Sequence, residues 1–155
     1  MPKVIIVYES KYGNTKLVAE SITEGMREIP GIETTLHELK EVKLDQLPDF
    51  DAILVGSPNH MGRATRGIGK FTDKLGKLRL AGKLFAVFDT YLGKEYKKAV
   101  KKMEKQISEK APELKLLAPG LSIRVEGFKG PVAEGELARS KEFGTKIASL
   151  IINRL

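Results

Sequence analysis

The segment from Ser10 to Thr15 contains residue types that bind anions. It follows the apolar run Val4 to Tyr8, and its residues are Ser10, Lys11, Tyr12, Gly13, Asn14 and Thr15. Gly13 and Asn14 tolerate positive φ, so backbone N–H groups and two hydroxyls can converge at the start of a helix. A helix N-terminus of this kind attracts phosphate or carboxylate groups. An ordinary strand-to-helix turn with Asn14 or Thr15 as N-cap fits equally well, and the spacing alone leaves both interpretations open.

Two further segments also follow apolar runs and carry polar and aromatic side chains. The candidate residues after the run Ala52 to Gly56 are Ser57, Pro58, Asn59, His60, Met61 and Gly62. Those after the run Leu84 to Phe88 are Asp89, Thr90, Tyr91 and Leu92. In open parallel sheets, ligands bind beyond the carboxyl ends of the strands, where the strand order reverses. If the three apolar runs are parallel strands, the three segments meet at one site.

The composition excludes several other chemistries. The 155 residues include no cysteine, which excludes disulfides, thiolate metal sites, iron–sulfur clusters and a cysteine nucleophile. Redox work would therefore need a bound cofactor. No metal site is expected, because His60 has only His37 as a second histidine. The segment Gly67 to Thr72 imitates a glycine-rich nucleotide loop, but it lacks the third glycine and follows no strong strand.

Apolar patterns predict the elements that position the three segments. Val4 to Tyr8, Ala52 to Gly56 and Leu84 to Phe88 are short continuous runs typical of central strands, whereas the alternating stretch Ile32 to Leu39 indicates an edge strand. Leu114 to Val125 predicts a last strand broken at Pro119-Gly120. Four helical stripes complete the pattern: Val18, Ile22, Met26 and Ile29; Phe71, Leu75 and Leu78; Tyr96, Val100, Met103 and Ile107; and Phe143, Ile147, Leu150 and Ile151.

The repeated alternation of strands and helices predicts the α/β class, as a three-layer parallel sandwich with right-handed crossovers. Without a linker or a composition shift, we expect residues 1–155 to form a single domain. No apolar run approaches the roughly 18 residues of a membrane span, and the first residues lack the features of a signal peptide. We therefore expect a cytoplasmic protein with no membrane partner.

The three segments together resemble the flavin loops of the flavodoxins. A strand followed by Ser-Lys-Tyr-Gly-Asn-Thr resembles their phosphate loop, Gly56 to Gly62 (GSPNHMG) resembles the second flavin loop, and Phe88 to Tyr91 (FDTY) resembles the third. The likeness extends to the flavodoxin domain of A-type flavoproteins, whose last helix is similar to Gly135 to Gly144. The resemblance covers nearly the whole chain in the right order.

This resemblance implies a flavodoxin-like sandwich with a five-stranded parallel sheet of order 2-1-3-4-5 and helices on both faces. It implies FMN as the cofactor, with the phosphate on Ser10 to Thr15 and the isoalloxazine ring between the second and third loops. Tyr91 is the candidate to stack on the ring. The second aromatic side chain that flavodoxins often place after the third strand is missing. Met61 fills its position, or that ring face is bare or covered by a partner.

The function implied by the resemblance is one-electron transfer between redox partners. The alternative is an FMN-dependent NAD(P)H or quinone reductase on the same fold, and a third possibility is a flavin-free module that binds an acidic partner. Lys and Arg number 27 against 20 Asp and Glu, a formal charge of +7, whereas flavodoxins are mostly acidic. Much of this excess positive charge lies on a helix predicted from Lys94 to Lys110. The charge favours an acidic redox partner, although a solvated lysine-rich surface is the simpler explanation. Nucleic acid is the least favoured partner, because no nucleic-acid-binding motif accompanies the charge.

Overall fold

The computed structural model describes residues 1–154, in which one sheet lies between two layers of helices. The strands are β1 (Lys3–Tyr8), β2 (Glu33–Glu38), β3 (Ala52–Pro58), β4 (Leu84–Tyr91), β5 (Lys115–Leu116) and β6 (Leu121–Arg124). The helices are α1 (Asn14–Arg27), α2 (Arg66–Leu75), α3 (Lys98–Lys110) and α4 (Glu136–Arg154), with short 3₁₀ turns at Leu39–Glu41 and Leu44–Asp49. None of these helices is long and apolar enough to cross a membrane.

The strands run parallel in the order β2-β1-β3-β4-β5, which confirms the predicted topology. The registers place Val4 of β1 between Thr34 of β2 and Ala52 of β3. The chain therefore leaves β1 toward one edge of the sheet and continues from β3 toward the other. The crevice beyond the carboxyl ends of β1 and β3 is the switch point of this topology.

The fifth position of the sheet is shared by two short strands. β5 pairs with Leu84 and Phe85 at the start of β4, and β6 pairs with Phe88 to Tyr91 at its end. The predicted break at Pro119-Gly120 is confirmed. A Cβ on Gly120 would lie 2.9 Å from Val87 Cγ2, so the chain can approach β4 here only with glycine. The sheet consequently has six strands rather than the expected five.

The burial of the strands follows the predicted division into central strands and an edge strand. The side chains of β1, β3 and β4 are almost continuously buried, whereas β2 is partly exposed. Because side chains alternate along a strand, Val4 and Ile6 pack toward α1 and α4, while Ile5 and Val7 pack toward α2 and α3. Each face of the sheet thus has its own apolar core.

Several element boundaries differ from the sequence expectations. β3 and β4 continue to Pro58 and Tyr91, so the second and third segments begin inside strands. α3 begins at Lys98 rather than Lys94, because Lys97 has a left-handed backbone (φ 63°) and donates its N–H to Ser122 Oγ at 2.9 Å. Tyr96 therefore lies outside the helix and is 48% exposed instead of belonging to its apolar stripe.

α2 is likewise shorter than the apolar stripe suggested. It ends at Leu75, and Leu78 packs against the same core from beyond the helix. Gly67 and Gly69 lie within α2, so their segment is helical and forms no nucleotide loop.

Candidate functional site

The carboxyl ends of β1, β3, β4 and β6 surround a cavity of about 520 Å³. This volume is within the range of roughly 300–1,000 Å³ that is typical of small-molecule and cofactor sites. The cavity wall consists of Ser10, Lys11, Tyr12, Asn14, Thr15, Pro58, Asn59, His60, Met61, Thr90, Tyr91, Leu92, Val125 and Phe128. The structure therefore brings together side chains from all three predicted segments and from a fourth.

The first segment turns sharply from β1 into α1. Gly13 occupies the N-cap position with φ 95°, a conformation that glycine adopts without strain, and donates its N–H to Ser10 Oγ at 3.0 Å. Gly13 has no side chain to cap the helix, Ser10 Oγ also accepts from Lys16 N at 3.4 Å, and the first helical bond runs from Leu17 N to Gly13 O. Among the hydrogen bonds of residues 1–154, none provides an acceptor for the N–H groups of Asn14 and Thr15. An anion in the cavity can accept from them.

Two contacts fix this segment to its neighbours. Thr15 and Thr90 are both buried, and their hydroxyl oxygens lie 2.9 Å apart, which joins the start of α1 to the end of β4. A Cβ on Gly130 would lie 2.5 Å from Asn14 Oδ1, so the loop after β6 also packs closely against the segment. The start of α1 is thus held from two sides.

The second segment forms a tight turn after β3. His60 and Arg63 exchange two backbone hydrogen bonds, of 2.7 and 3.1 Å, with Met61 and Gly62 at the tip and both at positive φ. Asn59 supports the turn from inside, since its Oδ1 accepts from Gly62 N at 2.8 Å. Met61 is 91% exposed at the mouth of the cavity. Met61, one of the alternatives for covering the second ring face, therefore lies largely in solvent.

The base of this turn is held by buried polar groups. Ser57 is fully buried, and its Oγ accepts from Thr65 N at 2.9 Å, while Thr65 Oγ1 donates to the Glu9 carboxylate. Neither Ser57 nor Gly62 is part of the cavity wall. Ser57 holds the turn in place from below.

The third segment presents Tyr91 and Leu92 to the cavity. Tyr91 is partly buried, and its ring contacts that of Tyr96 at a centroid distance of 5.4 Å and a tilt of 58°. Burial raises the pKa of the Tyr91 hydroxyl above its ordinary value, and the negative charge of Glu136 raises it further. Tyr91 is therefore neutral near pH 7 and offers an apolar aromatic face supported by a second ring.

Asp89 does not contribute its side chain to the cavity, in contrast to the role that the resemblance implied. Because side chains alternate along β4, Asp89 lies on the same side of the strand as Phe85 and Val87, and its side chain points toward α3. The carboxylate is fully buried and accepts from Ser122 Oγ at 2.6 Å and from Val100 N at 3.1 Å. Burial raises the pKa of Asp89 to about 6 despite these bonds, which favour the charged form. Asp89 holds the start of α3.

Val125 and Phe128 are wall residues that the sequence analysis missed. They belong to the connection after β6, where Val125 pairs with Val132 and Glu126 N donates to Pro131 O at 2.9 Å. Phe128 lies at the tip of this hairpin and is 80% exposed. The sequence did contain a signal for this segment, namely the aromatic residue Phe128 after the last strand. Its neighbours are glycines and charged residues, and no helix or strand pattern accounts for an aromatic side chain among them.

The described residues hold no group of three or more His, Cys, Asp or Glu side chains suited to a metal ion. His60 is in the cavity wall, whereas His37 lies on β2.

Comparison with known proteins agrees with this arrangement. The model of the flavodoxin-domain family matches residues 5–128, and the chain belongs to that family. A flavodoxin from the domain Archaea is 28% identical, with a TM-score of 0.82 over 97% of this chain and 99% of the other. Flavodoxin 2 from Bacillus cereus is 26% identical, with a TM-score of 0.77 over 99% of each chain.

The fold also occurs within a larger enzyme. The rubredoxin oxygen:oxidoreductase of Desulfovibrio gigas matches 98% of this chain over 36% of its own length, with 20% identity and a TM-score of 0.79. Identity at this level is a likeness of fold alone. Membership of the flavodoxin family itself implies a flavin cofactor, typically FMN, and a role in electron transfer.

Proposed function

We propose that this chain binds FMN in the cavity and carries single electrons between redox proteins. The observation that carries the proposal is the pairing of two features in one cavity: backbone N–H groups without acceptors at one end and aromatic side chains at the other. A phosphate monoester joined to a flat aromatic ring matches that pairing. The position at the switch point of the sheet supports the same ligand.

At the anion end, the N–H groups of Asn14 and Thr15 would bind the phosphate together with the hydroxyls of Ser10 and Thr15. The surroundings of Gly13 support this fit. A Cβ added at Gly13 would have no protein atom within 4 Å, so the space beside the start of the helix is open. The N-terminal end of α1 adds the partial positive charge of the helix dipole.

At the other end, Tyr91 would pack on the isoalloxazine ring, with Leu92 and Val125 as apolar neighbours. FMN supplies one-electron redox chemistry when bound. The chain binds it, orients it and limits the access of water. Phe128 and Met61 are the exposed apolar side chains at the cavity mouth that a bound ring would partly cover.

The absorption spectrum of the purified protein, followed by titration of the flavin-free protein with FMN, tests the cofactor. We expect one FMN per chain. Ser10→Ala should weaken binding of FMN about 10- to 150-fold, since it removes a hydrogen bond to a charged group, which contributes roughly 1.5–3 kcal/mol. The same substitution should leave the affinity for riboflavin, which has no phosphate, nearly unchanged. A protein that takes up no flavin would contradict the proposal and favour the flavin-free module.

Potentiometric titration of the holoprotein separates the carrier from the reductase. A carrier of single electrons accepts them in two separate steps and oxidises NAD(P)H slowly even with a quinone present. A single two-electron step with rapid NAD(P)H oxidation would instead identify the FMN-dependent reductase. The acidic partner protein and the cytoplasmic location belong to the same proposal and rest on the basic charge and the composition.

A further inference from the structure

A basic groove lies between α2 and α3, next to the flavin cavity. It encloses a cavity of about 320 Å³ whose lining includes Arg63, Arg66, Lys70, Gln106 and Lys110. No predicted flavin-binding residue belongs to its wall. The groove is therefore a separate feature of the surface.

Positive charge is concentrated on this face of the sheet. α2 and α3 together contain eight basic and three acidic residues, whereas α1 and α4 on the opposite face contain six basic and four acidic residues. The excess of positive charge is thus five on the two helices beside the groove and two on the opposite pair. An asymmetry of this kind creates a directed field that orients an oppositely charged protein as it approaches.

The three carboxylates of α2 and α3 are already engaged. Glu104 Oε2 accepts from Gly120 N at 2.7 Å, and Glu109 and Asp73 lie 4.0 and 3.8 Å from the ammonium groups of Lys105 and Lys110. Among residues 1–154, no carboxylate lies within 4.0 Å of the cationic groups of Arg63, Arg66 or Lys70. These three cations are available for external carboxylates.

The groove and the flavin cavity share one tight turn. Arg63 lines the groove, whereas His60 and Met61 of the same turn line the flavin cavity. The two backbone hydrogen bonds between His60 and Arg63 keep these positions close together. A protein that binds the groove through one segment would therefore place the rest of its surface against the mouth of the flavin cavity.

We propose that the basic groove is the docking site for an acidic segment of the redox partner, whose carboxylates pair with Arg63, Arg66 and Lys70. This inference rests on the proposed function. Exposed ion pairs of this kind add little affinity but increase the rate of productive encounter, which is what a carrier that must also dissociate requires. Salt should weaken the effect, because it screens exposed charges.

The test uses the FMN-loaded protein and a reduced acidic [2Fe–2S] ferredoxin as the electron donor, with the second-order rate constant measured by stopped flow. The groove variant carries Arg66→Glu and Lys70→Glu. The control carries Lys146→Glu and Arg154→Glu, two exposed cations of α4 on the opposite face, so both variants change the net charge equally. The thermal midpoint and the FMN affinity are measured for both variants. Because neither substituted pair lies in the flavin cavity, we expect these two quantities to stay near the native values.

We expect the groove variant to react about tenfold more slowly at an ionic strength of roughly 10 mM and the control less than twofold more slowly. The difference should disappear near 0.5 M salt. Equal slowing in both variants, or slowing in neither, would overturn the docking site. Calorimetric binding of inorganic pyrophosphate to the holoprotein, abolished in the groove variant, would also overturn it and identify a small-anion site instead. If the unmodified holoprotein accepts no electron from any protein donor, the proposed function itself fails.

Discussion

Asp89 shows how a residue can support the site without lining its cavity. Its carboxylate accepts hydrogen bonds from Ser122 and from Val100 N, and Ser122 in turn accepts from Lys97 N. This chain of bonds provides partners for the first N–H groups of α3, which has no capping side chain of its own. Asp89 therefore connects the end of β4, where Tyr91 lies, to the start of the next helix.

The buried carboxyl predicts a pH-dependent stability. Since the pKa of Asp89 is raised from 3.8 to about 6, the folded state binds more protons than the unfolded state between these values. The favourable contribution is fully present below about pH 4 and is lost as the pH rises through 6, by on the order of 3 kcal/mol. Urea unfolding at pH 4 to 7 measures this loss.

Asp89→Asn should remove that pH dependence and keep a similar shape. The comparison is the slope of the unfolding free energy against pH in the two proteins. Parallel slopes would show that the carboxyl does not titrate in this range.

Phe128 is expected to contribute to flavin binding and little to folding. We predict that Phe128→Ala weakens the binding of both FMN and riboflavin about 2- to 13-fold, since an aromatic contact on the ring contributes roughly 0.5–1.5 kcal/mol. The free energy of unfolding should change by less than about 0.5 kcal/mol, because the side chain is 80% exposed. Flavin fluorescence titration and urea unfolding measure the two quantities. Equal FMN affinity in the variant would place Phe128 off the ring.

At the level of elements, α1 and α4 are held together by two glycines. A Cβ on Gly25 of α1 would overlap the Lys141 carbonyl of α4, and a Cβ on Gly144 of α4 would overlap the Ile22 carbonyl of α1. The two helix backbones therefore approach one another directly. This contact fixes the orientation of α1, whose N-terminus forms one end of the cavity.

Gly144→Ala should lower the free energy of unfolding by about 3 kcal/mol, because the added methyl group must push the two helices apart. Gly69→Ala is the matched control: its Cβ would have no neighbour within 4 Å, and alanine favours a helix interior by roughly 0.5–1 kcal/mol. The two substitutions should thus have opposite signs in urea unfolding. Destabilisation by both would mean that the α1–α4 contact is not the cause.

At the level of the whole molecule, the formal charge of +7 bears on the redox properties that we expect. Lys11 is in the cavity wall, and Lys94 follows the third segment by two residues. Cations near the ring favour the uptake of negative charge on reduction. The basic surface is therefore expected to raise the reduction potentials as well as to orient the partner.

Charge reversal tests this effect on the potentials. Lys11→Glu with Lys94→Glu should make the reduction potentials of the holoprotein more negative by on the order of tens of millivolts, since each charge acts through partly screened solvent. The Lys146→Glu and Arg154→Glu protein serves as the control, with a shift only a fraction as large. Potentials that depend on net charge alone would shift equally in both proteins.

Much of the fold could be read from the chain, because the relevant signals are local. Continuous apolar runs indicated the three central strands, and the alternating stretch indicated the edge strand β2. The carboxyl ends of parallel strands lie on one edge of a sheet, so three segments far apart in the chain could be expected at one site. The break at Pro119-Gly120 was also legible, since proline and glycine interrupt a strand.

Tertiary structure decided what those patterns leave open. Asp89 and Thr90 are adjacent in sequence, yet β4 continues through both, so one side chain points to α3 and the other to Thr15. Phe128 enters the cavity wall only because β6 pairs with the end of β4 and carries its hairpin to the same edge. The sequence alone determined which residue types follow each strand, through local periodicity. Which of them face the cavity depends on the ends of the strands and on contacts between distant segments, which no local pattern encodes.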